Sequence, residues 1–438
     1  MLLQWCAIEI SEKVSKIYAS YKEYATRLLQ CAREYYIKNM GLDGFDIDEV
    51  EYDLDNEQEL AYFQSFFQNL AIAVPYQIDA FEKQVTNEIS AIDSALNTAL
   101  NNLGLSRLEI GDYETGFAHY EYRRICMESE SDRNYWRDGE GVTPRWEGNK
   151  GQVVVAYGEQ GVGDEIMFGS IVPDLVADCK QVIIDGHPRL MDIWRATYPD
   201  INVYGCRKEK MLTWTQYYEI DAGLPICSLG KFYRHKESDF PKTPYLEYPV
   251  YIEKAFNKML KEHYPSLKES IDDAKPIIGF SWKGGIVKNN KVDRTLELDK
   301  WAPIFDQDAI FVSLQYDDSA SAWLSLFFKR FPQYKDKIFH CDKIVRHFNY
   351  AYTAALVDKL DLIISVPQSV VHLAGAMGKD VWQMCPKKAM WQMGPYGKDM
   401  PWYSTVKSYW QEEFGDWGPV IERVKEDLCS LLQKNTEI

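Results

Sequence analysis

Paired cysteines are missing from this sequence of 438 residues. Its nine cysteines stand singly, without a Cys-x-x-Cys pair or a histidine spacing suited to zinc. This pattern argues against a disulfide framework and a structural zinc site, and predicts reduced thiols in a cytoplasmic protein. No apolar run approaches the roughly 18 to 20 residues of a membrane-spanning helix. The first ten residues lack the basic flank of a secretion signal. We therefore expect neither a membrane-spanning helix nor a secretion signal.

Positive charge is also scarce. The chain has 49 Lys and Arg against 66 Asp and Glu, a net charge of −17. Such a field repels phosphate backbones and anionic membranes, so nucleic acid is not expected as a general partner. A nucleotide ligand needs only one small positive or amide-lined pocket and stays compatible with this charge. The length, with 46% hydrophobic residues, predicts two or three folded domains.

The N-terminal part is predicted to be helical. Apolar residues recur on one helical face over 12–40, without glycine or proline. An acidic stretch follows over 43–55 and contains two Asp-x-Asp pairs. A calcium loop needs glycine at its sixth position, where this stretch has Asp48, so we interpret it as a solvated linker.

A helix–turn–helix pattern covers residues 88–125. Gly104 and Gly116 fall where two helices would cross, and Phe117 and Tyr120 fall at the rim. This arrangement resembles a tetratricopeptide unit, although a stable array needs about three copies. A plain helical hairpin that caps the following domain explains the pattern equally well.

Short apolar runs alternate with helical patterns after Trp146, and strands buried on both faces indicate parallel sheets. We predict strands at Val153–Tyr157, Val182–Ile184, Ile201–Tyr204, Ile277–Phe280, Ile310–Leu314, Leu362–Ser365 and Val381–Met384. The fold class is therefore α/β, with two doubly wound, Rossmann-like domains that face each other across a cleft. The predicted divisions are a helical module over 1–140, the two domains over 141–265 and 266–412, and a final helix over 413–438 that clasps both.

Three segments could carry chemistry at strand ends. The first has Gly158, Gly161 and Gly163 in a turn before a helix, with Asp164 either directed into the cleft or serving only as a helix cap. Its spacing differs from the Gly-x-Gly-x-x-Gly dinucleotide fingerprint, which argues against a dinucleotide-dependent oxidoreductase. Glu159 and Gln160 lie in the same turn.

The second segment follows the strand that ends near Ser365. Pro367 turns the chain, and a helix of small residues begins near Ser369, where free N–H groups and the helix dipole favour a diphosphate. His372 could donate to a phosphate oxygen, although a packing role is the more common one for such a histidine.

The third segment combines glycines with a basic loop. Lys283, Lys288, Lys291 and Arg294 cluster within twelve positions of an acidic chain. Such a run is often solvated surface, but these cations could also neutralise a departing nucleoside diphosphate.

Together these segments resemble the bacterial tetratricopeptide-linked glycosyltransferases related to the heptosyltransferase (family 9) and O-GlcNAc transferase (family 41) families. The resemblance covers about residues 95–425. It includes the segments Gly111–Phe117, Tyr120–Arg123, Trp146–Gly148, Glu159–Asp164, Ser313–Gln315, His372–Ala376 and Pro401–Tyr403.

The resemblance implies a GT-B fold and an inverting, metal-independent glycosyltransferase that needs no cofactor. Asp164 matches the family's general base, within an acceptor-side loop of Glu159, Gln160, Gly161 and Gly163. The implied donor-binding residues are Lys283, Arg294, Gln315, Gln368, Ser369 and His372. The family reads Asp-Thr where this chain has Pro367-Gln368, which implies a changed sugar donor or a decayed enzyme.

The implied function is sugar transfer from a nucleotide-sugar donor to an acceptor hydroxyl. The acceptor could be a protein or another glycan, and a modified base is not ruled out. The alternative is a catalytically decayed nucleotide-sugar-binding scaffold that recruits partners through its helical module.

Overall fold

The computed structural model describes residues 96–123, 143–206, 212–273, 275–284 and 294–436. Residues 96–103 and 122–123 belong to one compact unit, and the other described residues belong to a second. The predicted helix over 12–40 and the acidic linker over 43–55 lie outside the described residues, as do Lys288 and Lys291. The second unit carries all the strands considered below.

The described residues of the second unit include ten strands, which form two parallel sheets. The first sheet contains β1 (Val153–Tyr157), β2 (Gln181–Asp185), β3 (Asn202–Tyr204) and β4 (Ala222–Pro225). The second contains β5 (Ile277–Ser281), β6 (Ile310–Ser313), β7 (Ile338–His340), β8 (Leu362–Ser365), β9 (Val381–Cys385) and β10 (Val406–Trp410). We call the elements from β1 to β4 the first domain and those from β5 to β10 the second domain. The predicted α/β class with parallel sheets is confirmed.

The strand orders are those of doubly wound sheets. The first sheet runs β3-β2-β1-β4 and the second runs β10-β9-β8-β5-β6-β7. In each, the order reverses beside the first strand, and the loops that leave the sheet there diverge to opposite faces. The divergence opens a crevice beyond the carboxyl ends of β1 and β4, and another beyond those of β5 and β8.

The described residues also form helices, and those of the second unit cover both faces of these sheets. They are α1 (96–109), α2 (Tyr113–Tyr120), α3 (Val162–Gly169), α4 (Val172–Asp178), α5 (Met191–Thr197), α6 (Leu229–Tyr233), α7 (Val250–His263), α8 (Pro265–Asp272), α9 (Ala302–Phe305), α10 (Ala320–Arg330), α11 (Asp342–Val345), α12 (Ala351–Asp358), α13 (Ser369–Ala376) and α14 (Gly418–Thr436). Short 3₁₀ turns add Pro188–Leu190, Thr213–Tyr217, Ile226–Ser228, Glu237–Asp239, Leu298–Trp301, Pro332–Tyr334 and Trp391–Met393. The residues that follow β4 and precede β5 include the two longer helices α7 and α8.

Alternate residues of the second sheet enter different cores. Phe280 and Ile364 pack into a cluster with α9 and α14. Ile277 and Ile363 pack on the opposite face, in a cluster that also contains Ile184 of the first domain. Because both faces are covered, the central strands are largely apolar, which is what made them recognisable in the sequence.

A helical hairpin stands at the edge of the first domain. A β-carbon on Gly104 would lie 2.7 Å from the backbone nitrogen of Tyr120, and one on Gly116 would lie 2.8 Å from Leu108. Both glycines therefore permit the close helix crossing that the sequence predicts. Phe117 of α2 packs at 6.0 Å between ring centroids from Phe168 of α3. In the part of the chain that the structure describes, α2 packs on the first domain, and the tetratricopeptide-like array remains a prediction.

The final helix packs on the second domain. Its buried side chains Val420, Val424 and Leu428 belong to the cluster that contains Phe280 and Phe305. The predicted contact of this helix with the first domain remains a prediction.

Candidate active site

The two strand-end motifs meet in one crevice. β1 leads through the glycine turn into α3, and β8 leads through Pro367 into α13. A β-carbon on Gly163 would lie 3.2 Å from Cδ2 of His372 and 3.2 Å from Cα of Ser369. The amino ends of α3 and α13 therefore converge, and the positive ends of their dipoles favour an anion between them.

Asp164 lies at the third position of α3, partly exposed to this crevice. Its Oδ2 accepts a hydrogen bond from the Gly161 backbone N–H at 3.1 Å, and its Oδ1 accepts one from Gln392 Nε2 at 3.2 Å. Burial raises the pKa of Asp164 and the nearby Glu159 charge adds to the rise, while the Gln392 and Gly161 hydrogen bonds oppose it. The carboxylate thus accepts the backbone N–H of the N-cap residue from the third helical position, so its capping role is observed and its catalytic role remains a prediction.

Glu165 is a buried carboxylate that the sequence did not single out. It is fully buried and accepts the His187 backbone N–H at 2.8 Å, which ties α3 to the loop after β2. A β-carbon on Gly158 would overlap the Glu165 carboxylate, so this packing requires glycine there. Glu159 and Gln160 are half-buried in the turn, and Gly161 is exposed as the N-cap of α3.

The amino end of α13 forms the opposite wall. Gln368 is its extended N-cap residue, and Ser369 Oγ lies 3.2 Å from the Tyr350 hydroxyl. His372 is buried, and its Nδ1 lies 3.4 Å from the Tyr403 hydroxyl. Burial lowers the pKa of His372 to about 4, so the ring is neutral near pH 7 and offers one N–H donor.

Polar groups at the ends of β5 and β6 are locked together by Gln315. Its Oε1 accepts from Ser281 Oγ at 2.8 Å and from the Lys283 backbone N–H at 3.1 Å, and its Nε2 donates to the Lys283 carbonyl at 3.0 Å. Lys283 Nζ lies 3.9 Å from Asp317 Oδ1. Burial raises the pKa of Asp317, but its Ser319 hydrogen bonds and the Lys283 charge outweigh this and lower the pKa overall.

Arg294 lies at the point where the strand order of the second sheet reverses. It is buried, and its guanidinium NH1 lies 3.5 Å from the Pro367 carbonyl. A β-carbon on Gly284 would overlap the same carbonyl, so Gly284 and Arg294 both pack against the turn that begins α13. The structure thus brings Lys283, Arg294 and the amino end of α13 to one edge of the sheet.

Arg189 is a third cation near the amino end of α13, and it comes from the first domain. Its guanidinium carbon lies 5.2 Å from the centre of the Tyr350 ring, and its Nε donates to the Phe348 carbonyl at 3.0 Å. Because Tyr350 contacts Ser369, this arginine approaches the amino end of α13 from across the cleft. No sequence motif predicts a role for Arg189, because its contact with Phe348 joins residues 159 positions apart.

These features define a class of protein: an α/β fold with two doubly wound parallel sheets, in which the helix that carries Asp164 contacts the amino end of α13. In the described ranges, no helix is long and apolar enough to cross a membrane. Nor do His, Cys, Asp and Glu side chains within those ranges gather in groups of three or more that could hold a metal ion.

Comparison with known proteins gives distant similarities. No protein-family model matches the chain. It is similar to Protein FlbA of Caulobacter vibrioides, with 24% identity over 297 residues, which are 64% of this chain and 47% of FlbA. The chain thus spans about half the length of the curated relative it matches.

Similar solved structures include a glycosyl transferase family 9 protein from Veillonella parvula, with a TM-score of 0.46 and 11% identity over 66% of this chain and 99% of that one. The E. coli ADP-heptose lps heptosyltransferase II gives a TM-score of 0.44 and 11% identity over 65% of this chain and 99% of that one. Both TM-scores are low, so the function proposed next rests on the residues of this chain.

Proposed function

We propose that this protein is an inverting glycosyltransferase that moves a sugar from a nucleotide-sugar donor to an acceptor hydroxyl without a metal ion. The observation that carries the proposal is the contact of Gly163 with Ser369 and His372. It supports an arrangement in which the Asp164 carboxylate and the amino end of α13 flank the space where a reacting carbon would lie. A base and a leaving-group cradle on opposite walls fit a single in-line displacement.

In this mechanism Asp164 takes the proton of the acceptor hydroxyl. The acceptor oxygen forms a bond to the anomeric carbon as the bond from that carbon to the phosphate oxygen breaks, and the nucleoside diphosphate leaves with the electron pair. The carboxylate ends protonated and the anomeric configuration is inverted. The raised pKa of Asp164 makes it a better base than an ordinary aspartate.

The second domain stabilises the departing negative charge. The free N–H groups and dipole at the amino end of α13, the His372 N–H, and the charges of Lys283 and Arg294 supply this role. Two contacts support their preorganisation: Gln315 fixes the Lys283 backbone, and the Pro367 carbonyl accepts a hydrogen bond from the Arg294 guanidinium. The acceptor, whether protein or glycan, would enter along the Glu159–Gly163 turn.

The test has a binding arm and a turnover arm. A panel of nucleotides and nucleotide sugars is screened by thermal shift, and each binder is then assayed for transfer and for slow donor hydrolysis. We expect one nucleoside diphosphate series to stabilise the protein. Asp164→Asn should abolish transfer yet keep nucleotide affinity, whereas unchanged turnover in that variant would remove Asp164 from the mechanism.

A second candidate is a catalytically decayed nucleotide-sugar-binding scaffold. Its support is that the cations of the cradle are already engaged within the protein, Lys283 by Asp317 and Arg294 by the Pro367 carbonyl. Pro367 and Gln368 also replace the Asp-Thr that the resembled family carries. Tight donor binding without hydrolysis or transfer, for every donor in the panel, would select this candidate.

A further inference from the structure

One hydrogen bond joins the candidate base to the opposite domain. Gln392 lies in the 3₁₀ turn Trp391–Met393 of the second domain, and its Nε2 donates to Asp164 Oδ1 at 3.2 Å. The other carboxylate oxygen accepts the Gly161 N–H from its own helix at 3.1 Å. Each oxygen of Asp164 therefore has one donor, one from each domain.

The turn that carries Gln392 is held firmly. The Trp391 ring lies 5.4 Å from the Tyr120 ring and 5.7 Å from that of Phe117, in edge-to-face contact with both. It also packs 6.1 Å from Phe168 of α3, the helix that carries Asp164. Gly394 ends the turn at a φ of 85°, a conformation that favours glycine. The buried packing of Trp391 thus holds Gln392 next to the Asp164 carboxylate.

The Gln392 amide lowers the pKa of Asp164, whereas burial and the charge of Glu159 raise it. Burial and the charge of Glu159 both disfavour the ionised carboxylate, while Tyr403 and the neutral ring of His372 supply no positive charge. An amide N–H directed at the carboxylate stabilises its ionised form. The buried Oε1 of Gln392 has no hydrogen-bond partner among the described residues, which leaves the donor end committed to Asp164.

We propose that Gln392 is a positioning residue of the transfer reaction. It fixes the orientation of the Asp164 carboxylate, and the carboxylate is oriented for proton transfer only when the second domain contacts α3. This proposal rests on the proposed function. It implies that separation of the domains would free Oδ1 and leave the base misoriented. The helical hairpin, through Trp391, then contributes to the site without touching a substrate.

The test compares substitutions of Gln392 in the full chain. Gln392→Ala should lower kcat by roughly tenfold to a hundredfold with little change in donor KM, because a misplaced base affects chemistry more than ground-state binding. It should also shift the acid limb of the kcat profile to higher pH, because the carboxylate loses a donor. Gln392→Glu should shift it further up, Gln392→Lys should shift it down, and Gln392→Asn should restore part of kcat.

Gln333→Ala, at an exposed glutamine of the same domain, is the matched control and should behave as wild type. A readout independent of turnover is the pH titration of the Asp164 carboxyl carbon by NMR, with Asp164→Asn giving the assignment. A carboxyl that titrates identically in wild type and in a folded Gln392→Ala overturns the positioning role. If the titration shifts while wild type transfers no sugar, the contact stands and the proposed function fails.

Discussion

Gly163 of α3 lies so close to His372 of α13 that a β-carbon at position 163 would sit 3.2 Å from the imidazole Cδ2. The second contact of that β-carbon, with Cα of Ser369, is equally short. Real β-carbons seldom come this close, so any side chain here must push α13 away from α3. The spacing between the candidate base and the candidate phosphate cradle is thus set by the absence of one methyl group.

Gly163→Ala should therefore impair the site more than the fold. Alanine favours the helix by about 1 kcal/mol, which offsets part of the steric cost. The displaced α13 should reduce kcat/KM by roughly tenfold or more. Thermal unfolding and steady-state kinetics on the same sample measure the two effects. Wild-type kinetics with an unchanged melting temperature would mean that the observed packing does not govern the reaction.

The rate should depend on pH through Asp164. A general base acts only when ionised, and burial raises the pKa of this carboxyl. Activity should therefore increase with pH, with an acid limb above the ordinary aspartate value of 3.8. The profile of kcat/KM between about pH 4 and 9 measures it. An acid limb at the ordinary value, or none, contradicts the assignment.

Stability should fall in acid because of His372. Burial holds its pKa at about 4 in the folded chain, against 6.5 for an ordinary histidine, so the unfolded chain takes up the proton first. The stabilising contribution is fully present above about pH 6.5 and is lost as the pH falls towards 4.

Denaturant unfolding of wild type and His372→Asn at about pH 7.5 and 5.0 measures this effect. Between those pH values, the wild type should lose about 2 kcal/mol more than the variant. His235→Asn, at an exposed histidine, is the control and should follow the wild type. Equal losses in wild type and His372→Asn would show that the ring is accessible to protons.

Donor affinity should depend on Lys283. Its ammonium is the cation at the carboxyl end of β5, and a charge-assisted bond to phosphate contributes about 1.5 to 3 kcal/mol. Lys283→Met should weaken nucleoside diphosphate binding roughly tenfold or more, as measured by calorimetry. Lys335→Met, at an exposed lysine of the same domain, should leave affinity unchanged. Equal affinities for both variants would place the diphosphate elsewhere.

Central strands were predictable from the sequence, whereas three of the four edge strands were not. β1, β5 and β8 are buried and largely apolar because helices cover both of their faces, and their positions agree with the sequence prediction within a residue. β4, β7 and β10 were missed, and all three are edge strands. β4 contains glycine and proline, β7 has three residues, and β10 includes Lys407 and Ser408, so none has the apolar signature of a central strand.

The sequence by itself determined the α/β class, the strand ends that carry the glycine turn and the α13 motif, and the residue types able to act there. These features are local, since they follow from neighbouring side chains and backbone freedom. Only the tertiary structure decided which groups meet. Gln392 contacts Asp164 across 228 positions, and Arg189 contacts Phe348 across 159. Such contacts arise from how two separately formed sheets pack, and no periodicity along the chain encodes that packing.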